Sequence, residues 1–204
     1  MDTIRQAASD DLEALYHICL KTGDSGVDAT GLYDDPELIG NIYAAPYLTL
    51  APELAFVAER DGKVVGYCVG ASDTRAFEDR LEAEWWPRLR ERHAMPDPDR
   101  QADWSPDERL SDLIHSPTPA PDDLVAEFPA HVHMNLLLEA QGAGLGRALL
   151  EAWFQKAKAR GVSAVHLGAS PANDRGIRFW GWQGFAVVDV PDSSTVWMAQ
   201  RLAG

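Results

Sequence analysis

The chain has 204 residues, 46% of them hydrophobic, and a formal net charge of −14 at pH 7. This length predicts a single domain over residues 1–204, large enough to bury an apolar core. The negative charge argues against a nucleic-acid partner, because neutralising phosphates requires clustered lysines and arginines. No apolar run reaches membrane-spanning length, and the first residues lack the basic and apolar regions of a secretory signal. We therefore expect a cytoplasmic protein without a membrane partner.

The first half of the chain predicts helices and an antiparallel meander. Residues 4–7 form the first predicted strand, residues 12–21 a helix with apolar side chains on one face, and residues 23–33 a loop rich in Gly and Asp. A second helix is predicted over residues 37–43, and residues 46–52, with a proline at each end, are predicted to be a connection.

A β-hairpin follows. Residues 55–60 and 63–70 alternate in the manner of strands, and Asp61-Gly62 between them is a strong signal for a tight turn. Antiparallel strands mixed with helices at the start of a chain are typical of an α+β architecture.

Residues 74–93 predict a charged amphipathic helix that carries Trp85 and Trp86. The stretch 95–129 is rich in Pro and Asp and is predicted to be loose, although its Trp104, Leu110, Leu113 and Ile114 predict that it packs against the rest of the chain. Residues 74–130 are predicted to be an insertion into the domain. A segment this long is typical of a lid, a substrate wall or a contact surface, with a plain structural insertion as the alternative.

The second half predicts parallel strands. The strand at 131–138 runs through a glycine-rich bend into a helix at 146–160, and a strand follows at 163–168. Strands joined in this way are parallel, with a right-handed crossover. The remaining predicted elements are a helix over 175–183 and a closing hairpin of strands 185–190 and 195–201.

The glycine-rich bend predicts an anion site, because free backbone N–H groups and the positive end of the helix dipole coincide there. A P-loop requires Gly-Lys-Ser or Gly-Lys-Thr where this chain has Gly146-Arg147-Ala148. A dinucleotide fingerprint requires Gly or Ala where Arg147 stands. The third interpretation is the pattern Gln-x-x-Gly-x-Gly, formed by Gln141, Gly144 and Gly146.

This pattern resembles motif A of the GNAT family of N-acetyltransferases, which reads Gln or Arg, two residues, Gly, any residue, then Gly or Ala. Farther along, Asn173 and the run at 179–185 resemble the family's Asn…Phe-Tyr-x-x-x-Gly-Phe element. The joint match covers about residues 131–190. Several N-terminal segments and the Trp85-Trp86 helix also resemble the acetyltransferase-like C-terminal domain of animal O-GlcNAc hydrolase.

The resemblance implies an α+β (mixed α/β) fold whose mostly antiparallel sheet of about seven strands is flanked by helices in three layers. It implies acetyl-CoA, or coenzyme A, as the cofactor and direct acetyl transfer to an amine acceptor. That acceptor would be a small amine, a protein lysine or a protein N-terminus. Many relatives dimerise, so a homodimer is an open expectation. No spacing of Cys and His suggests a metal site.

By the same resemblance, the cofactor site is made of main-chain and side-chain groups. The acetyl and pantetheine arms would lie along Leu136, Leu137 and Leu138, and Asn173 would bond to the pantetheine. An N-cap role alone would also explain Asn173. The site is completed by Gln141, by the N–H groups of Gly142, Ala143, Gly144, Leu145, Gly146 and Arg147, and by Phe179 and Trp180.

One position departs from the family. Trp180 stands where many relatives carry a tyrosine that protonates the leaving thiolate, and an indole N–H is no acid at neutral pH. Tyr33 and Tyr67 are alternative acids. The departure leaves two functions open: an N-acetyltransferase, or a catalytically silent module that binds acetyl-CoA or a protein partner.

The candidate general bases are His131 and His133, which share one face of a predicted strand because side chains alternate. Histidine titrates near ~6.5 and therefore suits the role. Ordinary or partly buried strand histidines are the alternative. A backbone N–H near Leu137 or Leu138 is the expected donor to the acyl oxygen.

Overall fold

The computed structural model describes residues 2–202, and these contain a sheet of seven strands in the order β1-β2-β3-β4-β5-β7-β6. Neighbouring strands are antiparallel except β4 and β5, which are parallel. The predicted mixed and mostly antiparallel sheet is therefore confirmed. The strands are β1 (Asp2–Gln6), β2 (Phe56–Arg60), β3 (Lys63–Ala71), β4 (Ala130–Leu136), β5 (Ala164–Ala169), β6 (Ala186–Val188) and β7 (Val196–Arg201).

Helices cover both faces of this sheet. On one face they include α1 (Leu12–Lys21), α2 (Leu38–Tyr43), α3 (Ala45–Leu50), α4 (Thr74–Arg80), α5 (Trp86–Arg92) and α6 (Pro106–His115), all of which contribute to one apolar cluster. The short α7 (Asp122–Glu127) contacts β5. On the other face lie α8 (Leu145–Ala159) and α9 (Asp174–Trp182). None of the helices within residues 2–202 is long and apolar enough to span a membrane.

The two apolar clusters follow the alternation of side chains along the strands. Tyr67 and Val69 of β3 point into the cluster beneath α1–α6, whereas Cys68 between them points into the cluster beneath α8 and α9. The fully buried Trp153 of α8 fills the second cluster. Helices, sheet and helices thus form three layers, as the resemblance implied.

The hairpin between β2 and β3 turns at Asp61 and Gly62, both of which have positive φ (50° and 78°). Two left-handed residues in a two-residue loop match the twist of the adjoining strands. The connection predicted at residues 46–52 is wrong, because most of it belongs to α3. Pro46 lies in the first turn of that helix, where its missing N–H costs no hydrogen bond.

The helix predicted over residues 74–93 is found over residues 74–92, where a π-helical turn (Leu81–Trp85) joins α4 to α5 without interruption. Pro87, in the first turn of α5, has no N–H to donate to the helix, and the π-helical turn directly precedes that first turn. The indole N–H of Trp85 leaves this turn to donate to the carbonyl of Asn41 in α2 at 2.9 Å. This hydrogen bond anchors the π-helical turn to α2.

The loose segment predicted at residues 95–129 is also wrong, because it contains α6 and α7. Helix α6 begins with a reciprocal cap, in which Ser105 and Glu108 each bond the other's backbone N–H. This Ser-x-x-Glu pattern followed by Pro106 is a sequence signal for a helix start. The abundance of Pro and Asp obscured it.

A strand gap beside the glycine turn as the candidate functional site

Strands β4 and β5 pair over a short distance only. Their register contains Ala130 opposite Val165 and His131 opposite His166, although β4 continues to Leu136 and β5 to Ala169. Beyond that point each strand pairs with its other neighbour alone, β4 with β3 and β5 with β7. The two strands therefore separate, and a gap opens between their carboxyl ends.

Main-chain groups of β4 face this gap. The N–H of Leu137 donates to the carbonyl of Val65 at 2.9 Å, on the side of β3. Because bonding direction alternates along an antiparallel pair, Met134 and Leu136 direct their N–H and C=O groups to the opposite side. The Leu136 carbonyl accepts from Nε2 of Gln141 at 3.0 Å. Met134 was missed at the sequence level, because its place in the gap depends on strand register.

The predicted strand at 131–138 ends two residues early. After Leu136 the chain enters a single 3₁₀ turn, Leu138–Ala140, in which the Leu137 carbonyl accepts from the Ala140 N–H. The Leu137 N–H is bonded to Val65, so it is not free to act as an oxyanion donor. The Leu138 N–H, at the start of the turn, has no backbone acceptor within residues 2–202.

The glycine turn requires glycine for two different reasons. Gly142 and Gly144 have φ of 79° and 82°, and a Cβ on either would meet nothing within 4 Å. Their requirement is therefore the left-handed backbone, and the turn presents an open surface. In contrast, a Cβ on Gly146 would lie 3.2 Å from the ring of Phe179. Gly146 thus permits close approach of α8 to α9.

Six consecutive N–H groups at this turn, those of residues 142–147, have no acceptor within residues 2–202. The first helical bond of α8 runs from Ala148 to the carbonyl of Gly144 at 3.0 Å, so the N–H groups of residues 145–147 have no partner inside the helix. Residues 142–144 likewise donate to no acceptor within the described part of the chain. These donors stand at the positive end of a 15-residue helix, an arrangement that fits a phosphate group.

The side chain of Arg147 points away from this role. Its Nε donates to Glu151 at 2.7 Å, and both side chains are largely exposed. The pair is an ordinary i, i+4 surface interaction. Any contribution of Arg147 to an anion at the turn comes from its backbone N–H.

Asn173 and Trp180, two of the predicted site residues, have structural roles at α9. Asn173 is its N-cap, and its Oδ1 accepts from the Gly176 N–H at 2.9 Å. Trp180 is 8% exposed and packs edge-on against Phe179 and Phe185, with ring centroids 5.4 and 5.1 Å apart. The tryptophan at the family's tyrosine position is therefore part of the apolar core beneath α8 and α9.

His131 and His133 both lie on the sheet face covered by α1–α6, as alternation predicted. The Thr74 hydroxyl donates to the Pro129 carbonyl at 2.7 Å and lies 2.9 Å from Nδ1 of His131. Since that hydroxyl has one proton, Nδ1 donates to it, and Nε2 accepts from the Tyr47 hydroxyl at 3.1 Å. Both ring nitrogens of His131 are thus engaged.

Desolvation lowers the pKa of His131 to about 3, with a smaller effect from the neighbouring His166, and the pKa of His133 to about 4. Nε2 of His133 lies 3.5 Å from the Tyr67 hydroxyl, and its ring lies 6.0 Å from that of Tyr43. Both imidazoles are neutral at physiological pH. A neutral imidazole is the form that accepts a proton.

The tyrosines differ in access. Tyr67 is completely buried, and desolvation raises its pKa well above 10, which unsuits it to protonate a leaving group at the surface of a gap. Tyr33 is half-buried, and desolvation raises its pKa too. Tyr43, on α2, is 39% exposed, and its hydroxyl has no hydrogen-bond partner within residues 2–202, but desolvation raises its pKa to about 12 as well. No sequence signal marked Tyr43, because its proximity to His133 is purely tertiary.

The loop between α1 and α2 reaches the elements that border the gap. Nη2 of Arg175 in α9 donates to the carbonyl of Gly26 at 3.0 Å, and the hydroxyls of Ser25 and Ser170 lie 3.1 Å apart. Ser170 directly follows β5. The loop therefore forms a wall of the gap at the carboxyl end of β5.

The opposite end of that loop is held by the segment between β3 and β4. Both carboxylate oxygens of Asp107, in the first turn of α6, accept backbone N–H groups of consecutive loop residues, from Asp35 at 3.0 Å and from Asp34 at 3.1 Å. The predicted insertion thus contacts the wall of the candidate site.

Comparisons with known proteins identify the class. The family model described as the Acetyltransferase (GNAT) family matches residues 129–185, the stretch that contains β4, the glycine turn and α9. The crystal structure of SsHAT superposes with a TM-score of 0.90 and 37% sequence identity, covering 100% of this chain and 99% of that one. The chain belongs to the GNAT acetyltransferase family.

Two further relatives give context. YncA from Salmonella typhimurium, a putative acetyltransferase solved with its cofactor acetyl-CoA, shares the fold at a TM-score of 0.57 and 19% identity, covering 99% of this chain and 94% of that one. Protein O-GlcNAcase from Rattus norvegicus is 24% identical over 179 residues, which are 87% of this chain. The match spans only 19% of the length of that curated relative.

Proposed function

We propose that this protein binds acetyl-CoA and transfers its acetyl group directly to an amine acceptor. The observation that carries the proposal is the gap between β4 and β5, which opens beside six free N–H groups of the glycine turn. An elongated ligand with a phosphate-bearing end fits such a gap. Membership of the acetyltransferase family and the acetyl-CoA held by YncA support the same ligand.

The chain's own groups divide the binding between them. N–H groups of residues 142–147 receive the pyrophosphate, and the main-chain groups of Met134 and Leu136 hold the pantetheine arm as an added strand would. Gln141 shapes the turn by bonding to Leu136, and Leu137 fixes the end of β4 to β3. Phe179 and Trp180 support the turn from α9.

The acyl thioester and the pantetheine arm would each meet one further group of the chain. When bound, acetyl-CoA supplies an acyl thioester that is reactive toward amines. The gap-facing N–H of Met134 is the donor to the acyl oxygen, because the thioester lies at the end of the pantetheine arm opposite the pyrophosphate and Met134 is farther from the glycine turn than Leu136. The Leu138 N–H lies between Leu136 and the turn, on the pyrophosphate side of the arm. The Nδ2 of Asn173 remains able to bond to the pantetheine region, since only its Oδ1 is used as a cap.

His133 is the better of the two candidate bases. His131 has both ring nitrogens engaged by Thr74 and Tyr47, whereas His133 lies two residues nearer the gap and beside the partly exposed Tyr43. Desolvation lowers the pKa of His133 to about 4, so His133 is neutral at neutral pH but is a weaker base than a free imidazole, and its geometry rather than its basicity favours it. It takes the amine proton directly or through the Tyr43 hydroxyl.

A silent acetyl-CoA-binding or protein-interaction module is the second candidate. The observation in its favour is Trp180, which is packed into the core at the position of the family's tyrosine and leaves no acid there for the departing sulfur. Such a module would keep the glycine turn and the gap while turning over no acceptor.

The test measures binding and chemistry separately. Calorimetry records the heat of binding of acetyl-CoA and of CoA, and a thiol reagent records free CoA released from acetyl-CoA with a panel of small amines, lysyl peptides and peptide N-termini. For an enzyme we expect binding and amine-dependent thiol release, lowered about tenfold or more by His133→Ala. Binding without release in any arm of the panel favours the silent module. Absence of binding by either ligand contradicts both functions.

A further inference from the structure

We infer that Asn135 positions the acceptor by accepting a hydrogen bond from its amine N–H on the side-chain Oδ1. This inference rests on the proposed function, whose acceptor side it deepens. Asn135 is the penultimate residue of β4 and lies on the same face as His133. It directly precedes Leu136, at the point where the strand borders the gap.

The orientation of the Asn135 amide is fixed by its neighbours. Its Nδ2 lies 2.6 Å from Oγ1 of Thr22, and that hydroxyl donates to the carbonyl of Ile18 at 2.7 Å. A hydroxyl has one proton, so Thr22 is only able to accept from Asn135. The amide therefore presents Nδ2 to Thr22 and directs its Oδ1 elsewhere.

The Oδ1 of Asn135 is left free. It has no hydrogen-bond partner within residues 2–202. In that part of the chain, the side-chain polar atoms that are both fully buried and without a partner belong to Asn41, His93, Trp153 and Gln200, so Oδ1 of Asn135 is not fully buried. Asn135 itself is half-buried, so Oδ1 is reachable from solvent. A fixed and reachable carbonyl oxygen selects a ligand that brings an N–H or O–H donor.

The chemistry of an amide suits an amine that must attack as a neutral nucleophile. A carboxylate at the same position would favour the ammonium form and raise the pKa of the acceptor. The neutral Oδ1 orients the amine through an N–H without that electrostatic effect. The carboxamide and His133 on one strand face then divide positioning and proton removal between them.

Asn135 also links β4 to the loop between α1 and α2. Asn135 pairs with Tyr67 of β3 through its main chain, whereas Thr22 ends α1 and begins the loop that walls the gap. The hydrogen bond between the two side chains joins the cofactor strand to that loop. An amine held by Oδ1 would therefore lie between the strand and its wall.

The kinetic test uses Nα-acetyl-lysinamide as the acceptor probe. We expect Asn135→Ala to raise its KM about tenfold, the loss of one positioned hydrogen bond, while the dissociation constant for CoA stays unchanged. Thr22→Val frees the amide to rotate and should reproduce part of the rise, and Thr22→Ser, which keeps the hydroxyl, should restore the wild-type KM. A purely structural role predicts equal losses in cofactor affinity and in kcat, and such a result overturns the inference.

A second measurement does not depend on turnover. In a 15N spectrum of the CoA complex, the side-chain NH2 pair of Asn135, assigned by its loss in Asn135→Ala, should shift saturably as Nα-acetyl-lysinamide is added. No shift at Asn135 overturns the inference whatever the turnover assay gives. A saturable shift without acetyl transfer upholds it and counts against the proposed enzyme instead. Transfer with an unchanged KM in Asn135→Ala overturns the inference alone.

Discussion

At the scale of single residues, the same backbone conformation serves two purposes in this chain. Gly144 and Gly161 both have φ close to 80°, and a Cβ on either would meet open space. Gly144 starts α8 beside the free N–H groups, whereas Gly161 follows the end of the same helix. Substitutions at the two glycines therefore distinguish the effect of backbone strain from the loss of anion binding.

Gly144→Ala should weaken CoA binding about tenfold or more, because the strained turn would reorient its donors and the new methyl group would stand at the open surface. Calorimetry with CoA measures the loss. Gly161→Ala carries a similar strain of about 1–2 kcal/mol and serves as the control. We expect it to lower the melting temperature comparably with no change in CoA affinity. Equal affinity losses in both variants would mean that strain alone explains the effect.

Trp180 has a packing role at the motif position where many relatives carry an ionisable tyrosine. The residue is buried and contacts Phe179 and Phe185, so the ring contributes to the packing of α9 and no longer offers an ionisable group. Packing of this kind persists whether or not chemistry occurs. The position therefore discriminates poorly between an active enzyme and a silent binder, and the discrimination falls to the amine panel.

At the scale of elements, β4 and β5 carry three histidines on one face. Ring centroids of His131 and His166 lie 5.9 Å apart, and Nδ1 of His166 lies 2.6 Å from the Phe128 carbonyl. Desolvation lowers the pKa of all three imidazoles, to about 3 for His131 and about 4 for His133. Burial at this face of the sheet therefore favours the neutral form of all three histidines.

Acidification should destabilise the fold through these histidines. Their unfolded pKa is near ~6.5, so below that pH the unfolded chain binds more protons than the native one. The stabilisation is complete above ~6.5 and is lost as the pH falls toward the lowered values, by at most about 1.4 kcal/mol per pH unit for each histidine. Urea unfolding at several pH values between 4.5 and 7 measures the slope.

The variant that tests this assignment is His131→Gln, which removes one titrating group from the cluster and should flatten the slope. His17 on α1 is exposed and lies outside this cluster, so His17→Gln is the matched control substitution. A stability that does not change across this pH window would contradict the assignment.

Helix α6 should control the wall of the gap through Asp107. Replacing this residue by Ala removes the acceptor of two backbone N–H groups near the surface, an effect of about 0.5–1.5 kcal/mol for each hydrogen bond. We expect faster hydrogen exchange at the amides of Asp34 and Asp35. The exposed Asp103, which has no bonded partner within residues 2–202, provides the control substitution Asp103→Ala. Unchanged exchange in Asp107→Ala would show that α6 does not hold the loop.

At the scale of the whole molecule, ligand binding should report on the glycine turn. CoA at 100 times its dissociation constant stabilises the native state by about 2.7 kcal/mol, which corresponds to roughly 5–10 °C for a chain of this size. Pantetheine, which has no phosphate groups, should stabilise far less at the same concentration. Thermal unfolding with each ligand measures the difference, and equal shifts would show that the turn does not bind the pyrophosphate.

Local patterns determined much of this molecule. Alternating strands, the Asp61-Gly62 turn and the amphipathic Leu12–Lys21 each follow from chemistry within a few residues, and each is found as predicted. The glycine turn was equally predictable from the sequence, because a left-handed backbone and free N–H groups at a helix start are properties of adjacent residues. Misreadings arose where proline was taken as a breaker although it stood in a first helical turn, as in α3 and α6.

Tertiary structure alone decided which groups meet. The early separation of β4 and β5 depends on register with β3 and β7, and it brings Met134 into the candidate site. Burial beneath other helices, which no local pattern encodes, lowers the pKa of His133 and places Tyr43 beside it. The orientation of Asn135 likewise depends on Thr22, 113 residues away. The sequence by itself determined a helix start with left-handed glycines and free N–H groups, and packing between distant segments decided what surrounds it.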